Sequence, residues 1–280
     1  MTAADVTARA GRSGASRPAG AFNRTTGIGL GVTMTWFSLL VLIPLAAVIA
    51  TAGEGGVDAF WQAITNEQTA HAIRLTVLSA LAVTVTNVFA GTAIAWVLVR
   101  DRFPGKAVLE LLIDIPFALP TIVAGLVLLS LYGQDSPLGI DVANTGASVY
   151  LAFLFVTLPF VVRTVQPVLE ELDVEIEEAA ASLGASRLTT FTRIILPTLT
   201  PAIAAGAALS FARGVGEYGS LVLLSGNLPF TSEVASVRIL SAIENDNPAA
   251  AASVATLLLI VALVVILLLD VIQRRVARRG

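Results

Sequence analysis

The sequence predicts an all-α, polytopic membrane protein with six transmembrane helices. Apolar residues make up 56% of the 280-residue chain and charged residues only 13%, whereas a soluble domain carries about 25% charged residues. The chain also contains apolar stretches near the roughly 20 residues that a helix needs to cross a bilayer. A soluble enzyme, a disordered chain and a disulfide-bonded secreted domain are therefore excluded. No metal site is expected, because one histidine and no cysteine do not supply enough ligands.

Six apolar stretches are candidates for membrane spans. They lie near residues 30–52, 73–99, 111–132, 147–162, 200–224 and 249–272. Each is expected to be helical, because lipid offers no hydrogen-bond partner to an open strand edge. We expect a disordered cytoplasmic tail over 1–26, a first transmembrane helix over 27–52, the remaining five spans over 70–272, and a basic cytoplasmic tail over 273–280.

The distribution of basic residues orients these spans. Fourteen of the 17 lysines and arginines lie in the N-terminal tail, in the loops after spans 2 and 4, and in the C-terminal tail. The positive-inside rule places these segments, and both termini, in the cytoplasm. Ala50-Thr51-Ala52 also resembles a signal-peptide cleavage site, which would leave five spans. We favour an uncleaved first span, because its apolar run is about twice the usual length of a signal-peptide core.

The loop between spans 4 and 5, residues 163–197, is the one long cytoplasmic connection predicted. Helix-forming residues fill it up to Gly184, where a left-handed turn would end a helix. Ser186 is placed to cap a new helix, and Pro197 and Pro201 to open the fifth span. We therefore expect two short helices at an angle. Their apolar face is exposed, which favours docking of a partner over a solvated linker.

The same loop carries a recognisable motif. Glu178-Ala179-Ala180, three residues, Gly184, nine residues and then Ile194-x-Leu196-Pro197 resembles the EAA loop of ATP-binding-cassette (ABC) importer permeases. The resemblance extends over residues 70–272 and implies the MetI-like type I permease fold. It implies that the loop docks on a dimer of ATPase subunits, which bind ATP and Mg²⁺. The chain has no P-loop around its only lysine, Lys106, so we expect no cofactor and no enzymatic activity in it.

A finer resemblance begins in span 5. Residues 211–220, FARGVGEYGS, and 225–235, SGNLPFTSEVA, look like the T-type subunit of sulfate/thiosulfate importers. This resemblance implies a multi-pass permease of the bacterial plasma membrane that carries sulfate or thiosulfate by alternating access. The implied partners are a homologous W-type permease and an extracytoplasmic sulfate-binding protein, and no nucleic acid.

Candidate functional residues lie in spans 3 and 5. Arg213 and Glu217 are four residues apart, and charges at such depth rarely face lipid. Together with Gly214 and Tyr218 they are candidates for an anion path. The interpretation that we favour is a self-neutralising ion pair on one helix. In span 3, Pro116 and Pro120 interrupt the backbone hydrogen bonds and are candidates for a hinge, and no catalytic residue is expected.

Small and polar residues leave two interpretations open. Ala202, Gly206, Ser210 and Gly214 form a stripe of small residues, which suits either packing within the chain or a seam with a second permease. The polar residues of span 2 near mid-membrane, Asn87 among them, are expected to form hydrogen bonds between helices.

Two alternative functions remain. Molybdate or tungstate permeases of the same fold carry anions with the shape and charge of sulfate. A self-sufficient anion channel or secondary transporter belongs to a different class. It would call for intramembrane ionisable relays and internal repeats, and the sequence has one Arg–Glu pair and no convincing repeat.

Overall fold

The structure, a computed structural model, describes residues 24–277, and all regular elements in this range are helices. The expected tail over 1–26 lies largely outside these residues, whereas helix α13 continues into the expected tail over 273–280 as far as Ala277. In chain order the helices are α1 (Arg24–Phe37), α2 (Ile43–Gly53), α3 (Gly56–Thr65), α4 (Glu67–Arg100), α5 (Lys106–Ala118), α6 (Thr121–Tyr132), α7 (Gly146–Glu171), α8 (Val174–Ser182), α9 (Arg187–Thr190), α10 (Leu196–Val215), α11 (Gly219–Leu224), α12 (Ala235–Glu244) and α13 (Pro248–Ala277).

The helices supply up to six membrane spans. Five continuous helices are long and apolar enough to cross a bilayer, and the bent pair α5–α6 is a sixth if it is counted as one span. The five are Thr26–Gly53, Glu67–Arg100, Gly146–Glu171, Arg187–Val215 and Pro248–Arg275. The chain divides into two compact units, residues 1–47 and 48–280. The described part of the first unit is α1, a π-helical turn at Ser38–Leu42 and the start of α2.

Helix α7 is the central helix of the second unit. It packs against α4 and α10, and α10 packs in turn against α13. Two apolar clusters surround α7. One includes Phe153 together with Phe211 of α10 and Val234, which precedes α12. The other includes Leu169 together with Leu98 of α4. The unit therefore has an end near α12 and an end near α8, and these two ends are named in this way below.

The third span, expected over 111–132 with Pro116 and Pro120 as candidates for a hinge, is divided into two helices, α5 and α6. The chain bends by 120° between α5 and α6. Pro120 lacks an N–H and disfavours the helical conformation at Leu119, which is extended with φ −84° and ψ 135°. Pro116 lies inside α5. The pair nevertheless connects opposite ends of the unit, because α5 packs near the α8 end through Ile113 and α6 near the α12 end through Leu128.

A cluster of polar side chains joins three helices between the two apolar clusters. The amide nitrogen of Asn87 donates to Thr157 Oγ1 at 2.8 Å and to Ser210 Oγ at 3.1 Å. All three side chains are buried. The expected interhelical hydrogen bonds of span 2 are thus confirmed at Asn87, and they tie α4, α7 and α10 together at one level.

The small residues of α10 pack within the chain. A Cβ on Gly206 would lie 2.9 Å from the Cα of Val161 and would contact Thr164, both on α7. Gly214 faces Ala80 of α4 and Phe153 of α7 at ordinary van der Waals distance. Of the two interpretations of this stripe, the structure supports close packing inside the subunit.

Two short helices at the α12 end, α3 and α12, lie outside the six stretches that the sequence marks as membrane spans. Helix α3 packs on α13 and buries Ile64, and α12 packs on α13 and α4 and buries Ala235 and Val237. Both show apolar residues at helical spacing, for example Phe60 and Ile64. Each helix has only 10 residues, which is too few to cross a bilayer.

Candidate functional site

The segment that carries the EAA-like motif contains two short helices, α8 and α9, on either side of the turn at Gly184. Helix α7 continues to Glu171, and after α8 the helix that begins at Arg187 runs into the fifth span up to Val215. The two short helices expected between 163 and 197 are therefore present, but the second is continuous with the fifth span instead of ending before it. Pro167 and Pro197 do not end these helices. Pro197 stands in the first turn of α10, where a missing N–H removes no essential bond, and a π-helical turn at Phe191–Ile195 precedes it.

The turn after α8 follows the prediction. Gly184 has a φ of +85°, and its N–H donates to Ala181 O at 2.9 Å while the Ala185 N–H donates to Ala180 O at 3.0 Å. This pair of bonds is the Schellman ending, which requires a left-handed residue. The side chain of Ser186 accepts from the Thr189 N–H at 3.2 Å and caps the next helix as expected.

The predicted docking residues divide between surface and core. Glu178, Ala179 and Gly184 are exposed on α8 and its turn, as are Leu183 and Leu188 beside them. Ala180 is buried, and the remaining three residues are partly buried where the helix enters the fifth span: Ile194, Leu196 and Pro197. Behind α8 lies a cavity of about 600 Å³ that Trp96, Glu177 and Phe191 help to line. Helix α8 thus stands away from the bundle with apolar side chains exposed.

The break in the fifth span alters the geometry expected for Arg213 and Glu217. Helix α10 ends at Val215, so Glu217 lies in the turn between α10 and α11 rather than on the same helix. The ion pair forms nonetheless, with Arg213 Nη1 at 2.5 Å from Glu217 Oε2. Glu217 is 1% exposed and Arg213 32% exposed. The carboxylate is therefore enclosed, while the guanidinium keeps part of its surface free.

Glu217 has a second role that the sequence did not suggest. Its Oε1 accepts from the Ser220 N–H at 2.9 Å and from Ser220 Oγ at 2.8 Å, which caps α11. The carbonyl of Glu217 accepts from Ser236 Oγ at 2.7 Å. The sequence feature that could have indicated this role is the spacing of Glu217 and Ser220, three residues apart in a segment with two glycines. Glu217 joins the end of α10, the start of α11 and α12 in one turn.

The two broken spans meet at their breaks. A Cβ on Gly219, just after the break in the fifth span, would lie 2.9 Å from the Cβ of Thr121, just after the break in the third. A Cβ on Gly125 would lie 2.9 Å from the Cα of Ser220. Only glycine permits this approach of α6 and α11. The structure thus brings the proline break close to the turn of Glu217 and Tyr218, a proximity that sequence spacing did not reveal. Gly214 is buried one turn earlier, and Tyr218 is exposed.

A second ion pair anchors the broken third span. Arg163 of α7 binds Asp114 of α5 through two bonds, Nε to Oδ1 at 2.7 Å and Nη2 to Oδ2 at 2.6 Å. It also donates to the Glu110 carbonyl at 3.2 Å and to Gln166 Oε1 at 2.7 Å. Two parallel bonds to one carboxylate fix orientation as well as distance. Helix α5 is therefore held against α7 one turn before the bend.

The capping role of Glu217 makes a prediction about stability. Glu217→Ala removes the acceptor of both Ser220 bonds and leaves a buried N–H unpaired, at a cost of about 1–3 kcal/mol. Glu217→Gln keeps an oxygen at that position. We expect the alanine variant to melt several degrees lower than the wild type in detergent and the glutamine variant to stay close to it. Equal melting temperatures for the two variants would contradict the capping role.

The sequence is similar to those of known membrane transport proteins. Residues 87–279 match the family model described as "Binding-protein-dependent transport system inner membrane component". The sulfate transport system permease protein CysT of Synechocystis sp. is 44% identical over 227 residues, which cover 78% of this chain and 79% of that protein. CysT of Escherichia coli K12 is 42% identical over 231 residues, 80% of this chain and 83% of that protein.

A solved structure shares the fold. The crystal structure of a bacterial ABC transporter involved in the import of the acidic polysaccharide alginate aligns with a TM-score of 0.73 at 18% identity, over 90% of this chain and 95% of the other. At that identity the likeness concerns the fold alone. The family match and the relatives above 40% identity go further. The chain belongs to the binding-protein-dependent transport system inner membrane components, the permease subunits of ABC importers.

Proposed function

We propose that this chain is the permease subunit of an ATP-driven importer that carries sulfate or thiosulfate across the bacterial plasma membrane. The observation that carries the proposal is the identity of 42–44% to CysT sulfate permeases over about four fifths of the chain. The EAA-like motif on α8 and the Gly184 turn support the coupling to ATP. In the proposed cycle the substrate path opens alternately to the two sides of the membrane.

The arrangement of charges supports an orientation. Arg100, Arg163 and Arg187 lie at the α8 end of the bundle, whereas Glu233, Glu244 and Asp246 belong to the α12 end. By the positive-inside rule the α8 end faces the cytoplasm. With six crossings, both chain termini then face the cytoplasm as well.

ATP hydrolysis is assigned to a separate pair of ATPase subunits. The sequence around Lys106 lacks the glycine-rich pattern that cradles nucleotide phosphates. Helix α8 offers a surface for docking instead, because Leu183 is 89% exposed and apolar side chains on an exposed helix favour burial against a partner. At the α12 end the partner is an extracytoplasmic sulfate-binding protein, and a W-type permease completes the translocation path.

The turn at Glu217 is the proposed anion path. Arg213 is the one cation there among the described residues, and its guanidinium keeps donors free beyond those that face Glu217. The breaks beside it, at Pro120 and at Gly216–Tyr218, are the points where α5–α6 and α10–α11 can change angle. Pro116 and Pro120 are thus proposed as the hinge of the third span.

Uptake of labelled sulfate tests the proposed function. Cells that lack this chain should fail to accumulate sulfate and should regain uptake when it is restored. Unlabelled thiosulfate should compete, whereas molybdate in similar excess should compete weakly. Strong competition by molybdate with no response to thiosulfate would reassign the substrate. Flux through the purified chain alone in liposomes would instead indicate a channel and contradict the dependence on ATP.

The Gly184 turn tests the docking of α8. Gly184→Val places a β-branched residue at φ +85°, which costs at least about 1 kcal/mol, although open space surrounds the position. Gly184→Asn is the matched control, since asparagine tolerates this conformation. We expect the valine variant to insert normally but to retain less ATPase subunit on purification and to transport less sulfate. Full ATPase retention and uptake in the valine variant would contradict the docking assignment.

A double variant separates the two roles of Arg213. Arg213→Ala alone leaves the enclosed Glu217 carboxylate without its partner, which impairs folding as well as transport. Arg213→Met combined with Glu217→Gln removes both charges at similar volume and retains the acceptor for Ser220. We expect this variant to assemble and to recover substantial sulfate uptake, since a self-neutralising pair is the interpretation favoured. Near-zero uptake in an assembled complex that still hydrolyses ATP would show that the positive charge itself serves the anion.

A further inference from the structure

Arg100 occupies the joint between α4, α7 and α8. It is the last residue of α4, and its Nη2 lies 2.8 Å from Oε1 of Glu177 on α8. The same nitrogen donates to the carbonyl of Leu172, where α7 ends, at 3.1 Å. Its guanidinium carbon lies 5.9 Å from the centre of the Trp96 ring, one turn earlier on α4. One side chain therefore contacts three segments of the chain.

The contact is enclosed although it stands at the surface of the bundle. The side chain of Arg100 is 14% exposed and that of Glu177 24% exposed, so solvent and salt screen this pair less than an open surface pair. The Trp96 ring covers one side of the Arg100 guanidinium, and it packs edge-to-face on Phe191 at 5.7 Å between ring centres. The ion pair is thus part of a small packed joint.

Helix α8 has few other attachments to the bundle. It buries Ala180 alone among its nine residues, and its packing is chiefly against α9. The cavity of about 600 Å³ lies between α8, Trp96 of α4 and the residues from Arg187 to Ile195. Among residues 24–277 the Arg100 contact is the one ion pair that involves α8. Movement of α8 can therefore reach α4 through this pair.

The two neighbouring glutamates of α8 face different ways. Glu177 turns towards Arg100, whereas Glu178, the glutamate of the EAA-like motif, is exposed. Adjacent residues on a helix lie about 100° apart, which lets one side chain bind the bundle while the next stays free for a docked subunit. The attachment of α8 to the membrane core and its docking surface are thus built from different residues.

We propose that Arg100 and Glu177 are positioning residues that make α4 follow α8, so that movement of the docked ATPase reaches the second span. The inference rests on the proposed function and names a contact inside the subunit. Arginine suits this position because its planar group serves a carboxylate, a carbonyl and an aromatic ring at once, which a lysine ammonium does not. The loss of the pair should uncouple ATP hydrolysis from transport while leaving the docking surface of α8 intact.

The test compares variants in the complex that co-purifies with the tagged chain, reconstituted in proteoliposomes with the sulfate-binding protein. Arg100→Gln, Glu177→Gln, the double Gln variant and the exchange Arg100→Glu with Glu177→Arg are each assayed. The readouts are retained ATPase subunit, ATP hydrolysis and labelled sulfate uptake. Arg102→Gln and Glu175→Gln are matched controls, because Arg102 is exposed in the loop that follows α4 and Glu175 is exposed on α8.

We expect each single Gln variant to retain the ATPase subunit but to spend about tenfold more ATP per sulfate carried, within the usual range of coupling between sites. The double variant should be no worse than either single one, and the exchange should recover only part of the wild-type ratio, because a carboxylate at position 100 cannot donate to the Leu172 carbonyl. The controls should match the wild type. Additive losses, a normal ratio in the single variants, or loss of the ATPase subunit from them would each overturn the proposal.

The design separates this proposal from the proposed function. A wild-type complex that accumulates no sulfate contradicts the substrate assignment by itself. The stimulation of ATP hydrolysis by the docked binding protein is measured in the same vesicles without reference to sulfate flux. We expect the single Gln variants to lose most of that stimulation as well, because coupling between two sites is reciprocal. Equal stimulation in the wild type and in the single Gln variants contradicts the role of Arg100 whatever the transported anion proves to be.

Discussion

The bonds from Asn87 to Thr157 and Ser210 are the interaction on which the rest of the bundle depends. Hydrocarbon offers no water to a polar group, so a buried amide must find its partners in other helices. Here the partners lie on α7 and α10, and the three helices are held at one level. The apolar clusters on either side then fix α7 as the central helix.

The breaks in the third and fifth spans follow from the same constraint. A helix that ends inside a membrane leaves backbone groups without partners, and such ends persist only where other groups satisfy them. At the end of α10 the carboxylate of Glu217 satisfies Ser220, and Arg213 offsets its charge. The close approach of Gly219 to Thr121 sets the two breaks side by side. The breaks of the third and fifth spans thus share one neighbourhood, whereas α4, α7 and α13 run without a break.

Local signals predicted the features that depend on local chemistry. Apolar length gave the spans, Pro120 marked a bend, and Gly184 and Ser186 marked a helix end and a helix start. Other features depend on contacts between distant segments, and these were missed or misassigned. Helix α7 continues past Pro167 because its neighbours hold it, as Arg100 does at the Leu172 carbonyl. The four-residue spacing of Arg213 and Glu217 predicts that both lie on one helix. It cannot show that α10 ends before Glu217 or that Ser220 donates two hydrogen bonds to the Glu217 carboxylate.

The α8 region shows how one short helix can be both attached and available. Its ends are defined by its own sequence, with Asp173 accepting from the Glu175 N–H at the start and the Schellman turn at Gly184. Its position relative to the bundle is defined elsewhere, by an arginine more than 70 residues earlier in the chain. A helix held by its own caps keeps its shape when it moves, and a helix tethered by one enclosed ion pair transmits that movement to the residue that holds it. Those two properties together are what a subunit needs if an event outside the membrane is to change the angle of a helix within it.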